Sequence, residues 1–245
     1  MRAEVGRRER PRRPADAAPL PVAAQIDRAQ PIPEQVYRLL RQSIITMRLP
    51  PGATIIEKQI TDRLDISRTP VRDALRQLAE EGLVNVKPQS GTFVAPIDRR
   101  QLEEGRLIRR ALEIEGIKLA AGRIVETDIE RLNDLVELQA RAGRRNRYAE
   151  FIACDDQFHR VISELSGLPR LWRIISGAKA QLDRARHLSA PMPGQTERVL
   201  GQHRAIVVAL SRRDPEHSVA ALTHHLDDAY DRLTVLLEQH GEMFR

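Results

Sequence analysis

"SRTPVRDALRQLAEEGLV", residues 67–84, is the stretch on which the fold turns. Ser67 suits an N-cap, and Pro70 lies in the first turn, where its missing N–H costs least. Val71, Leu75 and Leu78 recur at helical spacing and make one apolar stripe. Gly82 stops the helix. Arg68 and Arg72, four apart, project from the opposite face and crowd its first turns.

Upstream, "PEQVYRLLRQSIITMRL" (33–49) carries helical spacing at Val36, Leu39, Leu40 and Ile44, and "PPG" (50–52) ends it. "EKQITDRLD" (57–65) reads as a short helix with Ile60 and Leu64 inward. Downstream, "LVNVKP" (83–88) and "TFVAPI" (92–97) alternate, carry β-branched residues and are joined by "QSG" (89–91), the pattern of a hairpin. Three helices and a hairpin make a winged helix-turn-helix unit over residues 31–96, whose third helix would enter the DNA major groove N-terminus first. Arginine pairs two donors with guanine or clamps phosphate, which makes Arg68 and Arg72 candidate DNA contacts. Ser67 and Thr69 flank Arg68 and add polar contacts; Lys58 is placed to meet the backbone. Ser90 and Gly91 form the wing tip, where glycine lets the backbone approach DNA closely. A solvated charged helix is the competing reading.

The run "PPGATIIEKQITDRLDISRTPVRDALRQLAEEGLVNVKPQSGTFV" (50–94) resembles the DNA-binding domain of GntR-type transcriptional regulators. The resemblance puts Lys58, Arg68, Thr69, Arg72 and Gly91 at that family's DNA-contacting positions. Asp65 departs from it, standing where the family usually has glycine in the turn. Aspartate tolerates the left-handed conformation better than most residues, so the fold is expected to survive.

The remaining chain frames this unit. Residues 1–30, "MRAEVGRRERPRRPADAAPLPVAAQIDRAQ", are rich in Arg and Pro without apolar periodicity and read as a disordered basic tail. The net charge of +6 favours a polyanionic partner. No apolar run approaches the roughly 20 residues of a membrane span, so no membrane partner is expected. A single cysteine, Cys154, excludes an internal disulfide framework and fits a reducing cytoplasm. From 97 to 245 the pattern is all-helical, with about six helices near 98–122, 126–144, 147–165, 168–188, 194–212 and 214–242. The fold class expected is mainly α: a winged helix-turn-helix domain followed by an all-α bundle.

That bundle holds polar residues where a core belongs. In "CDDQFHR" (154–160), Asp155 and His159 are four apart on the face of Ile152 and Ile162. His203 falls in register with Leu200, Val207 and Leu210, and His225 with Leu222, Ala229 and Leu236. His224 lies on a mostly polar face and is expected in solvent. An unpaired buried polar group costs about 1–3 kcal/mol, so four of them on three helices need one another or a shared partner. One carboxylate and three imidazoles suit a divalent ion such as zinc, nickel or manganese. Taken singly, each histidine reads more readily as a satisfied core residue than as a ligand.

"IRRALEIEGIKLAA", "DDQFHRVISELSG" and "HRAIVVALSRRDPEHSVAALTHHL" resemble recurring segments of the FCD effector domain of the FadR-type branch of the GntR family. The resemblance implies Asp155, His159, His203 and His225 as metal ligands and a small carboxylic acid as effector. It also places Arg109 along the effector cavity, although a structural pair with Glu113 fits the spacing as well. Leu168 departs from it, standing where the family often has asparagine.

The leading function is a ligand-responsive transcriptional repressor that binds a two-fold symmetric DNA operator as a homodimer. A metal-dependent enzyme using the Asp/His site is one alternative. A DNA-binding dimer with no effector, whose polar quartet is only a core cluster, is the other.

Overall fold

The computed structural model describes residues 26–239 together with Met243 and Phe244. Most of the expected basic tail, residues 1–25, lies outside the described residues. The chain divides into two compact units, with the main division between Ala95 and Pro96.

In the first unit, α1 spans Ile32–Ile45 and buries Val36, Leu40 and Ile44, which share one face at steps of four. Gly52, at φ 80°, turns the chain, and its N–H donates to the Val94 carbonyl at 2.9 Å. β1 (Thr54–Ile55) follows, then α2 (Glu57–Leu64), which buries Ile60. Asp65 caps α2 in the left-handed region, at φ 50° and ψ 54°, where a short polar side chain substitutes for glycine. Residues 27–30, read as part of the tail, form a turn, and Arg28 pairs with Asp65.

α3 (Arg68–Glu80) buries Val71, Ala74, Leu75 and Leu78. Ser67 takes the N-cap position with extended backbone, but its hydroxyl makes no capping bond, a departure from the sequence expectation. The Tyr37 hydroxyl and Arg41 Nε both donate to the Glu81 carboxylate, tying α1 to the end of α3. β2 (Val84–Lys87) and β3 (Gly91–Val94) pair antiparallel, Val84 opposite Val94 and Lys87 opposite Gly91. β1 adds to the far edge of β3, giving the order β1-β3-β2. That strand is missing from the sequence reading, because two residues are too few for an alternation to register.

The second unit holds seven helices among the described residues. α4 (Arg99–Ala121) is capped by Asp98, which accepts from the N–H groups of Arg100 and Gln101. α5 (Glu126–Arg144) and α6 (Tyr148–Leu165) follow. The helix expected over 168–188 is two, α7 (Leu171–Ala178) and α8 (Ala180–Ser189), parted at Lys179. Gly177, two residues before the break, weakens a helix interior. At the break the Lys179 ammonium is buried, 3.0 Å from Asp156 and 2.6 Å from Asp183. α9 (Gln195–Ser211) and α10 (Pro215–Gln239) complete the unit. Its core gathers Ile117, Leu132, Phe158, Ile162, Ile206 and Leu222 from α4, α5, α6, α9 and α10. Among the described residues no helix is long and apolar enough to cross a membrane.

Two glycines predict opposite outcomes. A Cβ on Gly105 of α4 would sit 2.6 Å from the Ala178 carbonyl oxygen, at the α7–α8 break. Backbone yields poorly, so Gly105→Ala is expected to cost about 1–3 kcal/mol. A Cβ on Gly201 of α9 meets nothing within 4 Å. Gly201→Ala is expected to stabilise by about 0.5–1 kcal/mol, the helix-interior cost of glycine. Urea unfolding of both variants checks the pair; a shift of the same sign in both contradicts the packing described.

Candidate functional site

In the first unit, Ser67, Arg68, Thr69 and Arg72 are all exposed at the N-terminal end of α3. The positive end of the helix dipole adds to their charge and favours an anion there. Arg72 Nε donates to Glu57 at 3.1 Å, and Lys58 Nζ to Asp62 at 3.2 Å, both at the surface. Ser90 and Gly91 are exposed at the wing tip, and Gly91 has a φ of 112°, a conformation L side chains rarely adopt.

In the second unit, the four polar residues converge. Asp155 and His159 come from α6, His203 from α9 and His225 from α10. One ligand atom of each lies within 4.8 Å of all the others. Their relative exposures, 3%, 1%, 0% and 2%, put the cluster out of reach of bulk water. His159 Nε2 is 3.2 Å from His225 Nε2 and 3.7 Å from Asp155 Oδ2. His203 Nε2 is 3.5 Å from Asp155 Oδ1 and has no hydrogen bond. His224, next in sequence to His225, is exposed.

Each ring is held by its other nitrogen. His159 Nδ1 lies 2.7 Å from the Glu113 carboxylate, His203 Nδ1 2.8 Å from Gln139 Oε1, and His225 Nδ1 2.9 Å from Gln202 Oε1. Acceptors face the Nδ1 atoms of His203 and His225, which favours the ring hydrogen there and turns each Nε2 inward; His159 Nδ1 meets Glu113 as an ion-pair contact without hydrogen-bond geometry. His159 Nε2 and His225 Nε2 can share one hydrogen, but His203 Nε2 is left without a partner. A cation at that point would engage all three nitrogens and the carboxylate, so the residues present fit a divalent metal.

Charged groups surround the ligands. Arg186 Nη2 donates to Asp155 Oδ2, and its other amino group reaches Asp156 at 2.9 Å and Asp183 at 3.2 Å. Burial pushes the Asp155 carboxyl up, but Arg186 together with His203, His159 and His225 outweighs it and holds the group well below the usual range. Burial likewise acts on Glu113, yet Arg109 and His159 bring it down to about 2. Arg109 Nε donates to Glu113 at 2.6 Å, while its two Nη atoms make no hydrogen bond among the described residues. Arg109 thus pairs with Glu113 and also lines a cavity of about 40 Å³ beside the cluster, with Asp155, Arg186, Gln195 and His225. One water needs roughly 10–15 Å³ on that measure, so the space admits a small molecule's polar head or a few waters.

Gln139, Gln202 and Arg186 are absent from the sequence reading, and Glu113 enters it only as a partner of Arg109. Gln139 carried a usable signal, since it interrupts the buried stripe of Leu132, Val136 and Ala140 on α5. Arg186 carried none, because an arginine near a helix end is ordinarily solvated. Cys154, half-buried, contributes no atom to the cluster.

Burial pushes the His203 imidazole down to about 3, against about 6.5 in an unfolded chain. Burial and the neighbouring His203 lower His225 well below its usual value too. The unfolded chain therefore takes up protons first as pH falls. Stability is complete above about pH 6.5 and is lost towards pH 3, at up to about 1.4 kcal/mol per pH unit for each such ring. Glu113 adds a loss of the same sign below its unfolded value. Urea unfolding of chelator-treated protein between pH 7.5 and 5 is expected to show the midpoint falling; a flat midpoint contradicts neutral buried rings.

The two units match two family models: the first, over residues 32–94, "Bacterial regulatory proteins, gntR family", and the second, over residues 106–228, the FCD domain. Over 223 residues the chain is 32% identical to the HTH-type transcriptional repressor RspR of Escherichia coli (strain K12), covering 91% of this chain and 98% of that protein. It is 31% identical over 198 residues to a probable D-xylose utilization operon transcriptional repressor of Paenarthrobacter nicotinovorans, covering 80% and 85%. Among solved structures, E. coli McbR/YncC aligns with a TM-score of 0.73 at 25% identity, covering 84% of this chain and 98% of that one. The family and these relatives are transcriptional regulators rather than enzymes, which sets aside the metalloenzyme alternative. The chain belongs to the gntR family of bacterial regulatory proteins, as a DNA-binding transcriptional regulator whose helical unit is an FCD domain.

Proposed function

We propose that the protein represses transcription as a cytoplasmic homodimer on a two-fold symmetric operator, and that a small carboxylic acid bound at a divalent metal in the helical unit alters its grip on DNA. The observation that carries the sensor half is the convergence of three imidazoles and the Asp155 carboxylate on one buried point, beside a cavity edged by arginine. Asp155, His159, His203 and His225 would hold zinc, nickel or manganese. The ion, when bound, supplies a positive centre to which an anion can coordinate. Arg109 contributes its unbonded guanidinium edge, a fork that matches a carboxylate. The apolar side chains of Phe151, Ile152 and Val199 close the rest of the cavity and favour a compact ligand.

The DNA-reading half rests on the head of α3. Arg68 and Arg72 reach base edges or phosphates, Ser67 and Thr69 contact the backbone, and Lys58, Ser90 and Gly91 hold the flanking phosphates and the wing. One recognition helix reads only a short half-site, which is the reason for two copies on a symmetric operator. The similarity to the repressor RspR and to the probable repressor of Paenarthrobacter nicotinovorans supports the sign of regulation.

Two experiments test the halves separately. Replacing Arg68 and Arg72 together by Ala is expected to weaken specific operator binding by about 2–6 kcal/mol, since each good bidentate contact is worth about 1–3. Circular dichroism and sizing should stay unchanged; an unaltered operator Kd removes both arginines from the interface. In a thermal-shift screen, a carboxylate that serves as effector should raise Tm in metal-loaded protein and lose most of that effect after chelation. Equal shifts with and without chelator contradict a metal-linked ligand.

A further inference from the structure

One residue near the cluster touches two of the four ligands, which come from different helices. Gln139 on α5 donates from Nε2 to Asp155 Oδ1 on α6, at 3.3 Å, and its Oε1 accepts from His203 Nδ1 on α9, at 2.8 Å. It is 1% exposed, so no water competes for either contact. Nε2 also lies 3.5 Å from the Phe151 carbonyl. An amide carries its donor and acceptor at fixed ends. With a carboxylate and a backbone carbonyl on one side, the NH₂ group must face them. The carbonyl end then faces His203, whose Nδ1 must carry the ring hydrogen. Reversing the amide would set oxygen against carboxylate and lose both bonds at once.

We propose that Gln139 is a positioning residue of the metal centre: one amide fixes which nitrogen of His203 and which oxygen of Asp155 turn towards the ion. Through it the His203 lone pair is committed to Nε2, the atom that is buried without a partner. Asp155 Oδ1 is held on the His203 side, while Arg186 holds Oδ2. Gln202 does a narrower version of the same work. Its Nε2 donates to Asp228 at 2.8 Å, and its Oε1 accepts from His225 Nδ1, so it orients one ligand only. An amide acceptor also leaves these two rings without the added negative charge that Glu113 gives His159, so a bound divalent ion keeps more of its charge for an anion.

The inference rests on the metal reading, and the test separates the two. Long-range nitrogen–proton correlation spectra of the full-length, metal-free protein report the tautomer of each histidine. His203 is expected in the Nδ1–H form in the unaltered protein. In Gln139→Leu that preference should be lost, while in Gln202→Leu only His225 should change. Zn²⁺ affinity, read by competition with a chromophoric chelator, should fall about 10–100-fold in Gln139→Leu, the usual effect of losing a partner behind a ligand. An Nε2–H tautomer at His203 in the unaltered protein, or an affinity within twofold in the variant, overturns the proposal. If Gln139→Leu does not fold, the tautomer of the unaltered protein decides. Absence of Zn²⁺ binding by unaltered protein with His203 in the Nδ1–H form overturns the metal reading, and with it the positioning role, while leaving the hydrogen bonds as described.

Discussion

In this protein three imidazole Nε2 atoms are buried around one point with a carboxylate beside them, and one of the three, on His203, has no hydrogen-bond partner. The helical unit is arranged around that constraint. The ligands come from α6, α9 and α10, and the groups that hold them come from α4, α5, α8 and α9. The break between α7 and α8 belongs to the same arrangement. It brings Lys179 to Asp156 and Asp183, the carboxylates that share Arg186 with Asp155. Loss of one partner would strand a buried charge, which typically costs several kcal/mol.

Charge explains why such a centre suits sensing. Asp155 and Glu113 are ionised and face Arg186 and Arg109, so these four groups sum to zero. The proposed divalent ion would leave a positive excess in a buried place, and a small anion is the simplest group to cancel it. Arg109 is well placed to take part, because Glu113 engages only its Nε. Arg186 is less so, with three carboxylates already sharing its donors. A carboxylate drawn to Arg109 would therefore act on His159 through Glu113, linking ligand and ion along a short chain of hydrogen bonds.

The sequence carried these features unevenly. Asp155 and His159 were legible because the i,i+4 spacing on an apolar face is unusual, and His203 and His225 because each breaks a regular stripe. The recognition unit was legible from capping, stripe and turn residues between Ser67 and Gly82, while left-handed Asp65 was legible only through the resemblance, which puts glycine in that turn. Partners distant in sequence were not legible: nothing local says that Gln139 meets His203 across 64 positions, or that Arg186 meets Asp155 across 31. Nor does the stretch around Lys179 contain a proline, and its helical periodicity runs on. Gly177 is the one local hint of the break, and a lone glycine is tolerated in many helices.

A sensor of the proposed kind requires a metal ion at the buried point among Asp155, His159, His203 and His225. Elemental analysis of protein purified without an affinity tag measures this directly. One zinc, nickel or manganese per chain, lost when His159 and His203 are replaced by Ala, is the predicted result. A metal-free protein that remains so after incubation with each of these ions would contradict it, and the cluster would then stand as a hydrogen-bonded core alone.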